Sequence, residues 1–201
     1  MDSSIIQLRS DISAHFDLEG IIENSEEIKL SESGLFYYSS TLYRQKDKTR
    51  NWIVSKIEIW DTEASEKIFE YITDNDLSHH NSLWIKSNDG HEYLFLPEFQ
   101  TGYSIFDVSS VQLHSCNLKD DPFIWAQIHP SPDKTKLAVL GCYWACPFGI
   151  RIYDIKDITM PPYPIIYETY PSNDHEFLNI EWIDNISFKI KTETKEIITK
   201  L

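Results

Sequence analysis

A repeat spacing of 46 to 47 residues is the feature that most restricts the fold of this chain. Three short segments combine β-branched and aromatic residues and reach an Asp that follows an aromatic residue. They are Ile57–Asp61, Tyr103–Asp107 and Arg151–Ile155, the last with its Asp at position 154. The three aspartates are 46 and then 47 residues apart. A fixed period of this length predicts an array of similar supersecondary units.

A second, looser series precedes the first within each unit. Trp84–Asp89 matches Ile128–Asp133, and Trp182–Asp184 begins a third copy. Short segments rich in aromatic and β-branched residues alternate with turn clusters such as Ser31–Gly34 and Ser87–Gly90. Sustained helical periodicity is scarce, so the pattern predicts an all-β chain.

The two interleaved series resemble the blades of WD40-like and TolB-like β-propellers, which have four strands and a period of about 40–45 residues. His129–Asp133, followed by Leu137–Val139, is the closest local match. Members of the family often end the third strand in Trp-Asp. This chain has that pair at Trp60-Asp61 and varies it in the later units, and the upstream Gly-His pair is missing. The resemblance covers residues 30 to 201 and implies a small propeller-like array of about four antiparallel, four-stranded blades.

The repeat predicts one domain over residues 1–201. Its units are expected at residues 21–74, 77–118, 123–170 and 178–201. The last unit is one strand short, and Ile5–Leu8 is the expected donor strand, because propellers often close with an N-terminal strand. If residues 5–8 do not dock, the fourth sheet keeps an open edge. The chain is then a homodimer that pairs through that edge instead of a monomer.

Net charge and composition indicate which classes of binding partner and which compartment to expect. The formal net charge of −14 opposes binding to nucleic-acid phosphates and to anionic membrane surfaces, and favours a protein or peptide, preferably a basic one. No apolar run approaches the ~18 residues needed to span a bilayer. The N-terminus lacks the basic and apolar regions of a signal peptide. Three cysteines, an odd number, suit a reducing compartment, so we expect a cytoplasmic protein.

The most unusual segment is the predicted loop Gly141–Gly149, which carries Cys142, Tyr143, Trp144, Cys146 and Phe148. In WD40-like blades this loop shares a face with the loops that join consecutive blades. Those loops supply further candidate binding residues, which are His79, His80, Asp120, Asp121, Asp174 and His175. Loops that converge on a rigid scaffold commonly form binding sites. The three rings of the segment either plug the channel or form an exposed recognition patch.

No segment carries a complete catalytic signature, and we expect a non-catalytic binding module without a cofactor. Cys142 and Cys146 have a spacing seen in zinc sites, but no second ligand pair accompanies them. A small enzyme or metal-binding protein that uses a Cys/His cluster on the same face is the alternative, and a structural subunit is another. Asp61, Asp107 and Asp154 are expected to be structural, accepting hydrogen bonds from nearby backbone or hydroxyl groups.

Overall fold

The structure is a computed structural model. It describes residues 26–45, 53–73, 81–97, 102–117, 119–143, 147–171 and 177–201, the backbone of residues 16–21, and residues 7, 10 and 14. These residues form four separate antiparallel sheets. The first contains β1 (Phe16–Ile21), β2 (Glu27–Leu30), β3 (Phe36–Gln45), β4 (Ile53–Asp61) and β5 (Glu66–Thr73). The second contains β6 (Leu83–Lys86), β7 (Glu92–Pro97), β8 (Tyr103–Asp107) and β9 (Gln112–Cys116).

The third sheet contains β10 (Ile124–Pro130), β11 (Lys136–Cys142), β12 (Gly149–Asp154) and β13 (Ile165–Thr169). The fourth contains β14 (Phe177–Trp182), β15 (Ser187–Thr192) and β16 (Glu196–Lys200). Sheets 2 to 4 are simple meanders, in which each strand pairs with the next, while β1 and β2 both pair with β3. The predicted all-β class and the four antiparallel sheets are therefore confirmed.

The four sheets do not close into a ring over the described part of the chain. The predicted donor strand Ile5–Leu8 lies outside the described residues except for Gln7, whose backbone is helical. That residues 1–201 form one domain stays a prediction. Within the described residues, no helix is long and apolar enough to cross a membrane.

Aspartates at equivalent strand ends shape the turns. Asp107 at the end of β8 accepts hydrogen bonds from the Ser109 N–H (2.8 Å) and the Ser110 hydroxyl (2.7 Å). Asp61 accepts one from the Ala64 N–H, and Asp154 accepts one from the Lys156 N–H. A short acceptor side chain in this position holds a turn by replacing a backbone partner. The structural role predicted for these three aspartates is confirmed.

Neighbouring sheets pack face to face through apolar side chains. In β7, Leu94 and Leu96 face sheet 1, whereas Tyr93 and Phe95 face sheet 3. This alternation follows from the two-residue period of a strand, and all six residues of β7 are buried because a sheet covers each face. A third apolar cluster joins sheets 3 and 4. The core of the molecule thus lies between blades.

Two tryptophans of the looser repeat series connect neighbouring sheets. The Trp84 Nε1–H of β6 donates to the Lys29 carbonyl of β2 (3.0 Å), and the Trp182 Nε1–H of β14 donates to the His129 carbonyl of β10 (2.9 Å). Each ring is largely buried, so its N–H requires such a partner. The sequence similarity between these segments therefore reflects an equivalent contact between blades.

The outward faces of the two terminal sheets carry ion pairs. On sheet 1, Lys56 and Lys67 bridge Glu58 and Glu70. On sheet 4, Lys189 lies 3.1 Å from Glu181 and 3.5 Å from Glu196. The inner sheets 2 and 3 instead carry apolar clusters on both faces. Charged side chains thus mark the two faces that have no neighbouring blade among the described residues.

Candidate binding surface

The candidate surface lies where β11 ends and β12 begins. Register pairs Ile124 with Cys142 and Gly141 with Gly149, so the segments before β10, between β11 and β12, and after β13 reach the same end of sheet 3. We call this the loop end of sheet 3 and define it as residues 119–123, 142–143, 147–149 and 168–171. Of the predicted binding residues, Asp120, Asp121, Tyr143 and Phe148 are described, and all four lie here.

A buried arginine organises the loop end. The side chains of Arg151 and Asp121 are 5% and 7% exposed, and Arg151 Nη1 lies 2.8 Å from Asp121 Oδ1. Arg151 Nε donates to Glu168, and Nη2 donates to the Tyr143 hydroxyl. The Tyr153 hydroxyl donates to Asp121 Oδ2 at 2.8 Å. One guanidinium thereby links β12 and β13 to the segment before β10 and the segment after β11.

Aromatic rings enclose the same guanidinium. Its central carbon lies 4.4 Å from the centroid of the Phe123 ring and 5.1 Å from that of Tyr143. The two rings meet edge to face, with centroids 5.6 Å apart. Cations are attracted to the faces of aromatic rings, and the attraction is larger where water is excluded. The rings therefore offset part of the cost of burying Arg151.

The ionised forms of this cluster stabilise each other. Burial alone would lower the pKa of Arg151, but hydrogen bonds to Tyr153 and Glu168 raise it above its ordinary value. Partial burial raises the pKa of Glu168, and this effect is outweighed by hydrogen bonds from Arg151 and Tyr170, so the net change is a lower pKa. The guanidinium and the Glu168 carboxylate are therefore both charged at neutral pH.

Three rings form what we call the aromatic ledge, which consists of Tyr143, Phe148 and Tyr170. Tyr143 and Tyr170 are stacked, with centroids 6.3 Å apart and planes at 25°. The Tyr170 ring lies against Gly149, where an added Cβ would come within 2.5 Å of Tyr170 Cε1. Phe148, directly before this glycine, is 38% exposed and Tyr170 is 39% exposed. Phe148 and Tyr170 thus present aromatic surface to solvent, and the Tyr170 ring packs against Tyr143 and Gly149.

The predicted binding residues that the structure describes differ in their exposure to solvent. Asp120 is exposed, as a residue that steers a partner must be. Asp121 is buried and paired with Arg151, and its role as a carboxylate that steers a partner stays a prediction. Tyr143 is partly buried and packs against the apolar cluster between sheets 2 and 3, while Phe148 is exposed. Of the two predicted rings that the structure describes, Tyr143 is therefore the more buried and Phe148 the more exposed.

Several predicted residues lie outside the described part of the chain. They are Trp144, Cys146, His79, His80, Asp174 and His175. Cys142 is half-buried at the end of β11. Among the described residues, no three His, Cys, Asp or Glu side chains are grouped so as to hold a metal ion. Burial raises the pKa of the other described thiol, Cys116, to about 11, so it is protonated at neutral pH.

Sequence reasoning missed three residues of the surface, Arg151, Glu168 and Tyr170. A signal for Arg151 was present, because a charged residue between Ile150 and Ile152 interrupts a strand that otherwise reads as buried. Buried charges are rare unless they are paired. Glu168 and Tyr170 carry no comparable signal, since exposed Glu and Tyr are common near the ends of edge strands.

A groove of about 360 Å³ lies at the opposite end, between sheets 2 and 3. Its walls include Lys134 and Lys156. Both ammonium groups are already paired, Lys134 with Glu32 at 2.6 Å and Lys156 with Asp154 at 3.2 Å. The positive charges of both lysines in the groove are therefore already balanced by carboxylates of the protein.

Comparison with known proteins gives structural similarity without a match in sequence. No protein-family model matches the chain, and no curated protein matches its sequence. The β-propeller domain of Cps50 (Swd1) from Myceliophteria thermophila is similar with a TM-score of 0.52 and 14% identity, over 98% of this chain and 55% of that domain. This chain thus spans about half the length of that propeller domain.

Two further structures share the similarity at lower scores. Hydrazine synthase from Kuenenia stuttgartiensis matches with a TM-score of 0.47 and 9% identity, over 82% of this chain and 54% of that one. The β-propeller domain of the Trilobed protease from Pyrococcus furiosus matches with a TM-score of 0.45 and 12% identity, over 87% and 57%. The four antiparallel sheets, their face-to-face packing and the similarity to the Swd1 domain lead to one conclusion: this chain has the β-propeller fold, as four consecutive blades that do not close into a ring over its described residues.

Proposed function

We propose that the protein is a non-catalytic scaffold that binds a protein or peptide segment at the loop end of sheet 3. The observation that carries the proposal is the aromatic ledge, in which Phe148 and Tyr170 are exposed and Tyr170 stacks on Tyr143, whose ring lies over the buried Arg151. Aromatic residues dominate the energy of protein interfaces, and a rigid anchor loses little conformational entropy on binding. The ledge has both properties.

Charge supports a basic partner. The chain carries a net charge of −14, and the loop end of sheet 3 adds the exposed Asp120 and the half-exposed Glu168. Opposite charge speeds encounter and fixes register more than it adds affinity. The rings supply affinity in this proposal, and the carboxylates select peptides that contain Lys or Arg. We place this binding in the cytoplasm, in line with the odd number of cysteines.

A peptide array tests the proposal. Immobilised peptides of equal length that differ in net charge and aromatic content are probed with the labelled protein. Wild type should prefer basic peptides, and the double variant Phe148→Ala, Tyr170→Ala should bind them at least about tenfold more weakly, as expected when two interface rings are lost. Ile198→Ala is the matched control, because Ile198 is 71% exposed but lies on sheet 4.

Three results contradict the proposal: no peptide binding by wild type, equal binding by the double variant, or an equal loss in Ile198→Ala. Trp144→Ala tests separately the sequence prediction for that residue. Far-ultraviolet circular dichroism of each variant establishes that the strands are retained, so that a loss of binding is not a loss of fold.

A further inference from the structure

The buried cluster at the loop end of sheet 3 is not neutral. It contains one cation, Arg151, and two carboxylates, Asp121 and Glu168. Asp121 is deeply buried, while the Glu168 side chain is 37% exposed at the solvent side. The lowered pKa of Glu168 keeps it ionised at neutral pH. One unit of negative charge therefore remains, and Glu168 is where solvent reaches it.

Tyr170 lies beside that charge. Its hydroxyl donates to Glu168 Oε1 at 2.8 Å, and its ring rests on Gly149 with part of its surface in solvent. A carboxylate and an accessible aromatic ring side by side can both attract the same cation. The carboxylate does so through its negative charge and the ring through its quadrupole. The chemical class that fits is an ammonium or guanidinium group.

The protein already binds one cation in this way. The Arg151 guanidinium lies over the Phe123 and Tyr143 rings and pairs with Asp121. Glu168 and Tyr170 present the same two kinds of group on the outer side. Their positions are fixed by Arg151 and by Gly149, so little ordering is needed when a ligand arrives.

We propose that Glu168 and Tyr170 form a subsite for a cationic side chain, Lys or Arg, of the bound segment. The inference rests on the proposed function of the loop end of sheet 3 and names the ligand group that this surface recognises. Because the subsite is local, it should also bind a short peptide that lacks every other contact of a full partner.

Nuclear magnetic resonance with labelled tyrosine rings tests the subsite directly. The probes are the blocked tripeptides acetyl-Gly-Arg-Gly-amide and acetyl-Gly-Lys-Gly-amide. Their neutral counterparts contain citrulline and acetyl-lysine. The Tyr170 resonance should shift saturably with both cationic probes, and the neutral probes should bind about fivefold or more weakly, as expected for one exposed ion pair with a cation–π contact.

Two variants and one control assign the effect to the named residues. Glu168→Gln should remove the preference for the cationic probes, and it leaves the buried pair of Arg151 with Asp121 in place. Tyr170→Leu, monitored on the probe's own resonances, should weaken the cationic probes while leaving the carboxylate. Glu181→Gln changes a similar ion-paired Glu on sheet 4 and should behave as wild type.

Equal binding of charged and neutral probes overturns the subsite, and so does an unshifted Tyr170 resonance. A preference for charge that survives Glu168→Gln overturns it as well. The peptide array reports on the whole surface, so the two proposals fail separately. If the protein binds peptides on the array but the tripeptides show no preference for charge, only the subsite is contradicted. If the protein does not bind the array but binds the cationic tripeptides as expected, only the scaffold proposal is contradicted.

Discussion

Replacement of Arg151 by Met should destabilise the protein by about 4 kcal/mol, and the reason lies in what remains behind. Methionine fills a similar volume but carries no charge. Asp121, 7% exposed, then keeps, among the described residues, the Tyr153 hydroxyl and the Phe123 N–H as donors. Loss of one partner of a buried ion pair costs about 3–5 kcal/mol, because the other charge stays buried without compensation. The exposed link to Glu168 adds less than about 1 kcal/mol.

A double variant separates the buried charge from the lost packing. Asp121→Asn combined with Arg151→Met removes both charges, and the remaining loss should be about 1–2 kcal/mol, the size expected for lost hydrogen bonds. The double variant should therefore be more stable than Arg151→Met alone. Lys189→Met is the matched surface control, since Lys189 pairs with exposed carboxylates on sheet 4 and should change stability by less than about 1 kcal/mol.

Urea unfolding followed by tryptophan fluorescence measures these differences, because the chain has six Trp. The reasoning is refuted if Arg151→Met loses no more stability than Lys189→Met. It is also refuted if the double variant is no more stable than the single one. Either result means that the buried carboxylate does not depend on the guanidinium.

Two further predictions concern the aromatic ledge and the side chain of His129 in β10. Gly149→Ala should displace the Tyr170 ring, because the new Cβ would lie 2.5 Å from Cε1; an unchanged Tyr170 ring resonance would contradict this. Burial lowers the pKa of His129 below its ordinary value of 6.5. As the pH falls, the unfolded chain is therefore protonated at this histidine before the folded chain is. The folded state then loses stability as the pH falls below 6.5. His129→Gln should lose less stability between pH 7 and pH 5 than wild type in urea unfolding, and an equal loss in both proteins would count against the idea.

The blade pattern was predictable because its chemistry is local. Asp107, for example, holds its turn through residues two and three positions away, so the same short pattern recurs wherever the turn recurs. The aromatic residue before each such Asp and the alternation of the strands are local as well. Repetition then multiplies a signal that would be ambiguous in a single unit.

The candidate surface at the loop end of sheet 3 was only partly predictable, because its main contacts join residues that are distant in sequence. Asp121 and Arg151 are 30 residues apart, and only the register of β10, β11 and β12 brings them together. Read as sequence, Asp120 and Asp121 are equivalent loop carboxylates. In the fold, Asp120 is exposed, whereas Asp121 is buried and paired with Arg151. Which neighbour is buried depends on strand pairing that no short pattern encodes.

The number of neighbouring blades against which a blade packs differs along the array, and we expect the stability of each blade against local unfolding to differ with it. Sheets 2 and 3 have apolar clusters on both faces, whereas sheets 1 and 4 each share one such cluster with a neighbouring sheet. In a nearly one-dimensional array, a unit with two interfaces opens less often than a unit with one. Fraying should therefore begin at the terminal sheets. The rings at the end of sheet 3 rest on a sheet supported from both sides, so brief opening of an outer blade need not disturb them.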